Sequence, residues 1–186
     1  MRRSLRLAGA ILAGLVVAVL VSAAPPRGDA ADPSAEALAA LDLAPLPRAA
    51  APAFTLTDLD GRALSLASLR GQTVLLYFWA TWCGYCQKEL PTSVEELARR
   101  YRDRQLVVLA VNIEEGRDAV RAWVKKHGVT VPVLLDPDGE VSADYRVTAT
   151  PTAVLVDPNG RAIARAVGTR AWTGERGRAL WETLLQ

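Results

Sequence analysis

Residues 73–79, Thr-Val-Leu-Leu-Tyr-Phe-Trp, form a nearly continuous run of apolar β-formers, and Cys83-Gly84-Tyr85-Cys86 follows almost at once. A run of this kind without polar alternation predicts a strand buried on both faces. Beyond the cysteines, Leu90, Val94, Leu97 and Tyr101 recur at helical spacing, so a helix is predicted over 87–102, kinked by Pro91. A buried strand that feeds a helix through two cysteines three apart constrains the fold more than any other feature. It requires a sheet covered by helices and puts both thiols at the end of one of its inner strands.

The rest of the chain supplies the other elements. Residues 54–57 alternate as a strand, Asp60-Gly61 is a turn signal, and 63–66 return as the second half of a hairpin, followed by one helical turn over 66–69. Strands are predicted over 106–111, 131–135, 153–156 and 161–167, the last two joined through Asn159-Gly160. Helices are predicted over 117–127, ending at Gly128, and over 140–145 and 173–185. This order makes the fold α/β, with a mixed central sheet flanked by helices on both faces. The first crossovers should be right-handed and parallel, and the last hairpin antiparallel.

The N-terminal end reads differently. Arg2, Arg3 and Arg6 precede an uncharged apolar run over 7–21, and Ser22, Ala23 and Ala24 follow. That is the order of a secretory signal, with a charged start, an apolar middle and small residues at the cut. No charge occurs in the 20 residues between Arg6 and Arg27, a length close to a membrane span, so residues 1–24 read as a signal peptide or as an uncleaved anchor. In either case the body is exported. Six of the eleven prolines fall in 25–52, which reads as a Pro/Ala-rich linker with one short helix over 34–43. The domain proper is then expected over 53–186.

Charge and cysteine count exclude several function classes. Apart from the three leading arginines, the chain carries 19 Lys and Arg against 20 Asp and Glu, so no basic surface points to nucleic acid. Two cysteines and one histidine, His127, do not complete a tetrahedral zinc site, and no metal or other cofactor is expected. Nor do two cysteines make a disulfide-stapled scaffold. At the start of a helix, however, free N–H groups and the helix dipole stabilise a thiolate, and the first cysteine becomes a nucleophile. Cys83 would attack a disulfide, and Cys86, one turn inward, would resolve the mixed disulfide. Taken alone, a CxxC is also compatible with half a metal site or an inert small-loop disulfide.

The segment Phe78-Trp79-Ala80-Thr81-Trp82-Cys83-Gly84-Tyr85-Cys86 resembles the thioredoxin active site. Pro91 matches the kink proline of the thioredoxin helix, and Thr150-Pro151-Thr152 looks like its cis-proline loop. The resemblance implies a thioredoxin fold in which Pro151 is cis and faces the cysteines, and in which the Thr150 backbone pairs with substrate. Over 52–186 the chain is most similar to the TlpA-like branch, the exported reductases of the ResA and cytochrome c maturation type. The hairpin segments Asp58-Leu59-Asp60-Gly61 and Leu66-Ala67-Ser68-Leu69-Arg70-Gly71 are shared with that branch. The 38 residues between Asn112 and Pro151 leave room for its inserted central helix and strand.

Two positions sharpen the likeness. Where plain thioredoxin has a buried aspartate, this chain has Tyr77, which is no carboxylate base. TlpA-like proteins instead carry a glutamate at the position of Glu89, three residues after Cys86. The resemblance makes Glu89 the proton acceptor for Cys86, provided burial raises its pKa. Trp82 and Tyr85, beside and between the cysteines, are expected to be exposed and to dock partners, whereas Trp79 is expected in the core. One departure concerns Tyr85, because this branch often has proline there, and Gly-Tyr also occurs in exported disulfide isomerases.

The resemblance therefore implies a monomeric thiol–disulfide oxidoreductase in the bacterial periplasm or on the outer face of the cytoplasmic membrane. As a reductase it would take electrons from a membrane thiol donor and reduce disulfides in exported apoproteins for cytochrome c or copper-site maturation. The alternatives are an oxidase or isomerase of secreted proteins, a thiol peroxidase, which would need a Pro-Thr/Ser-x-x-Cys setting absent here, and a Cu(I)-binding chaperone.

Overall fold

The computed structural model of the chain describes residues 35–185; the expected signal or anchor over 1–24 and the linker residues 25–34 lie outside the described residues. Eight strands form one sheet, in the order β1-β8-β7-β4-β5-β6-β2-β3. In chain order these are β1 (Ala44–Pro45), β2 (Thr55–Asp58), β3 (Ala63–Ser65), β4 (Thr73–Trp79), β5 (Leu106–Ile113), β6 (Val133–Asp136), β7 (Thr152–Val156) and β8 (Ala162–Val167). β4 is parallel to β5, and β5 to β6; every other pairing is antiparallel.

All seven residues of β4 are buried, as an uninterrupted apolar run between two neighbours demands. Leu75, Tyr77 and Trp79 face one apolar layer and Val74, Leu76 and Phe78 the other, as strand alternation requires. The first layer is completed by residues of α1 (Ala35–Ala39), α3 (Glu95–Arg100), α4 (Arg117–His127) and α6 (Glu175–Leu184). The second is closed by Phe54, Leu66 and Tyr145, the last just after α5 (Glu140–Asp144). The inserted elements are α4 and β6, and β2 of the N-terminal hairpin pairs with β6, which carries the hairpin at the far side of the sheet.

The helix after the cysteines is divided. α2 (Gly84–Glu89) passes through a π-helical turn, Leu90–Val94, into α3. Pro91 has no N–H to give to the preceding turn, and the ladder resumes when the Glu95 amide donates to the Leu90 carbonyl five residues back. The kink expected at Pro91 therefore takes the form of a π-turn.

The segment read as an extended linker differs from that reading in its second half. α1 packs on α6, and Leu38, Leu41 and Leu43 are buried in the main core. The short helix stops at Ala39 rather than Leu43, and Asp42, at φ 51°, reverses the chain. The Asp42 amide donates to Ala39 O (2.9 Å) and the Leu43 amide to Leu38 O (2.9 Å), which is a Schellman closure with its apolar contact between Leu38 and Leu43. β1 then pairs with β8, and the Leu46 amide donates to Ile163 O at 2.9 Å. The prolines that suggested a tether are interleaved with four leucines, and three of those leucines are what dock it. Among the described residues no helix is long and apolar enough to cross a membrane.

Candidate active site

The cysteines lie where β4 ends and α2 begins. Cys83 is the N-cap of α2, with extended backbone, and its Sγ accepts the Cys86 amide at 3.1 Å. This is the free N–H that a thiolate at Cys83 needs once the pair is reduced. In the structure the two are joined as a disulfide, with Cα atoms 5.2 Å apart. Cys83 is 5% exposed and Cys86 fully buried, so what access the pair has is through Cys83.

The Thr150–Pro151 bond is cis, and the Thr150 carbonyl lies 3.5 Å from Cys83 Sγ. Pro151 is buried and its carbonyl accepts the Gly168 amide at 2.8 Å. At φ 85°, Gly168 turns the chain out of β8 into the loop 168–174, a conformation that costs glycine little. Trp82 and Tyr85 are each 69% exposed and flank the disulfide, whereas Trp79 is completely buried against Trp123. His127 ends α4, stacked on Trp123 and bonded to its carbonyl, in a packing role. Among the described residues no group of three or more His, Cys, Asp and Glu side chains converges on one point.

One helical turn beyond Cys86 on α2, Glu89 is only 6% exposed. The Tyr77 hydroxyl donates to its Oε2 at 2.8 Å and the Arg170 backbone N–H to its Oε1 at 2.7 Å. Burial pushes this carboxyl above the usual carboxylate range, and the two hydrogen bonds oppose that shift without cancelling it. The Trp172 indole N–H adds a weaker pull in the same sense as those bonds, without closing a full hydrogen bond. Burial, and then the Glu89 charge, raise the Tyr77 hydroxyl as well, so it stays a neutral donor. Tyr77 thus occupies the place of a carboxylate by holding one that arrives from the helix.

A second carboxylate, Glu115, escaped the sequence reading. It accepts the Thr81 amide (2.7 Å), the Thr81 hydroxyl and the Asn112 side-chain amide (2.7 Å), while Gln87 Nε2 donates to the Thr81 carbonyl at 2.7 Å. The segment leading into Cys83 is thereby tied to the ends of β5 and α2. Nothing in the pattern Asn112-Ile113-Glu114-Glu115 marks one glutamate over its neighbour; only the fold brings Glu115 to Thr81. Glu115→Ala should cost about 2 kcal/mol of stability, because it orphans donors to a charged acceptor. Denaturant unfolding would read that loss, and Glu115→Gln, which keeps one acceptor oxygen, should recover part of it.

The AhpC/TSA family model matches residues 47–164, which include both cysteines and Glu89. The chain belongs to the AhpC/TSA family. Over 119 residues this AhpC/TSA member is 37% identical to the thiol-disulfide oxidoreductase ResA of Bacillus subtilis (strain 168), a span of 64% of this chain and 66% of that protein. The match thus covers just under two thirds of the relative's length. Among solved structures it is similar to the thiol:disulfide interchange protein DsbE of Chlorobium tepidum, with TM-score 0.68 and 28% identity over 78% of this chain and 99% of that one. It is also similar to a secreted Mycobacterium tuberculosis disulfide oxidoreductase homologous to E. coli DsbE, with TM-score 0.59 and 26% identity over 68% and 96%. The fold is a thioredoxin fold, and this family member is a ResA-like protein thiol–disulfide oxidoreductase.

Proposed function

We propose that the chain is an exported reductase that reduces disulfides in exported apoproteins, such as those that receive haem c or copper, and is itself recharged by a membrane thiol donor. The observation that carries this reading is the buried Glu89 carboxyl one helical turn beyond Cys86, held by Tyr77 and by the Arg170 amide. A carboxylate whose pKa burial has raised is a competent base for a buried thiol. The apolar run over 7–21 behind three arginines supports export, and so does the likeness to a secreted disulfide oxidoreductase.

The reaction follows from the arrangement. The Cys83 thiolate attacks one sulfur of a substrate disulfide; an S–S bond to substrate forms, and the first substrate sulfur leaves as a thiolate that takes a proton from water. Cys86 then gives its proton to the Glu89 carboxylate and attacks Cys83 Sγ. The mixed disulfide breaks, the second substrate sulfur leaves as a thiolate that takes a proton from water, and the Cys83–Cys86 disulfide remains. Two electrons have passed from the chain to the substrate. Thr150, beside Cys83, offers backbone to an extended substrate strand, and Trp82 and Tyr85 offer exposed aromatic surface for docking.

The equilibrium reduction potential of the Cys83–Cys86 pair tests the direction of electron flow. A value near that of thioredoxin, ~−270 mV, is expected, and a value near that of the oxidant DsbA, ~−120 mV, would transfer the chain to the oxidases.

A further inference from the structure

The N-terminal segment over 35–46 lies outside the matched span of the family, yet it reaches the active-site carboxylate through one side chain. Arg170, whose amide holds Glu89 Oε1, sends its guanidinium the other way: Nη2 donates to the Asp42 carbonyl (2.9 Å) and Nη1 to Thr169 O (2.7 Å). Its Nε is buried without a hydrogen-bond partner, and the two Nη bonds are what fix the guanidinium. The Asp42 carbonyl is presented by the left-handed turn that closes α1, and Leu38, Leu41 and Leu43 on either side of it are buried against the core. We infer that this N-terminal strap is a positioning element for Glu89, acting through Arg170: the docked strap fixes the guanidinium, and the fixed Arg170 holds its backbone N–H at the Glu89 carboxyl.

The charged and titratable groups seen around Glu89 come from β4, α2 and the loop 168–174. Tyr77 approaches from β4 as a neutral donor, Cys86 precedes it on α2, and Lys88 and Tyr85 share with it the rim of a cleft of about 380 Å³ that Thr169 and Arg170 complete. Of these, Arg170 counters the burial of Glu89 most strongly, and does so chiefly through its backbone N–H. The inference deepens the proton-acceptor reading of Glu89, and it is tested by an equilibrium titration that does not depend on catalysis.

The probe is the carboxyl 13C resonance of Glu89 in the oxidised full chain, assigned by its loss in Glu89→Gln. Arg170→Met should strengthen proton binding at Glu89 about threefold or more, because the N–H loses the anchor that holds it at the carboxyl while burial remains. Arg170→Lys keeps a donor for the Asp42 carbonyl and should stay within about twofold of wild type. Asp42→Pro is incompatible with φ 51° and should undock the turn, reproducing the Arg170→Met change. Asp42→Gly keeps both the turn and the carbonyl and should leave the titration unaltered. In an Arg170→Met background, Asp42→Pro should add nothing. An unmoved midpoint in Arg170→Met overturns the inference, and so does an Asp42→Pro effect that persists without Arg170. If Asp42→Pro does not fold, the contrast between Met and Lys at 170 still decides whether a donor to the strap is needed. Failure of Glu89 as a proton acceptor would appear in resolution rates and would leave this titration as it stands.

Discussion

Cys83→Ser should lower turnover with a protein disulfide substrate by about 10³-fold or more, since the attacking sulfur is gone. Cys86→Ser should behave differently. Its Cys83 thiolate still attacks, but the buried partner that would release the substrate is missing, so one equivalent of mixed disulfide accumulates. Non-reducing electrophoresis followed by mass spectrometry would identify the captured protein. The asymmetry rests on access: Cys83 carries the small exposed area of the pair and accepts the Cys86 amide, whereas Cys86 is sealed. Equal trapping by both variants would sink the assignment of attacking and resolving roles.

Glu89→Gln should slow resolution of the mixed disulfide by about 10²-fold while sparing the first attack, the loss expected when a general base is removed. The amide is nearly isosteric. Its oxygen can still accept the Arg170 N–H and its NH₂ can face Tyr77, so the fold should survive. Stopped-flow measurement across pH would then show the resolution step losing its dependence on a carboxyl of raised pKa. Stability gives an independent check with a definite sign. A carboxyl whose folded pKa is raised contributes stability that is complete below the unfolded value of ~4.3 and is lost as pH rises through the folded value. Gln at 89 suffers no such loss. The thermal midpoint of Glu89→Gln should therefore gain on wild type as pH increases through that window, with every tenfold displacement of the acid constant equivalent to ~1.4 kcal/mol. A difference independent of pH would show that the carboxyl carries no burial cost.

Much of this site was legible in one dimension. The buried run over 73–79, the two cysteines and Pro91 each announce themselves through local chemistry: β-formers without alternation, a thiol pair at a helix start, a proline inside a helix; the cis Thr150–Pro151 bond was expected only from the resemblance. Glu89 was named on resemblance alone, because nothing within the residues around it separates a buried carboxylate from a solvated one on a first turn. Glu115 and Arg170 had no local signature. Their partners are 34 and 81 residues away in sequence, and a hydrogen bond at that separation is created by packing. The strap over 35–46 was hidden by composition: prolines and alanines outweighed three leucines whose value depends on the apolar surface of α6 and β8 that receives them.

Local chemistry along the chain was thus enough to define the reacting pair, the strand that presents it and the fold class around it, since period, turn residues and thiol spacing act over a few residues. Burial was decided by tertiary structure. It sealed Cys86, raised the Glu89 carboxyl, turned Tyr77 into that carboxyl's donor and carried the Asp42 carbonyl to Arg170. Each of these depends on which surfaces exclude water together, and that is a property of the packed chain.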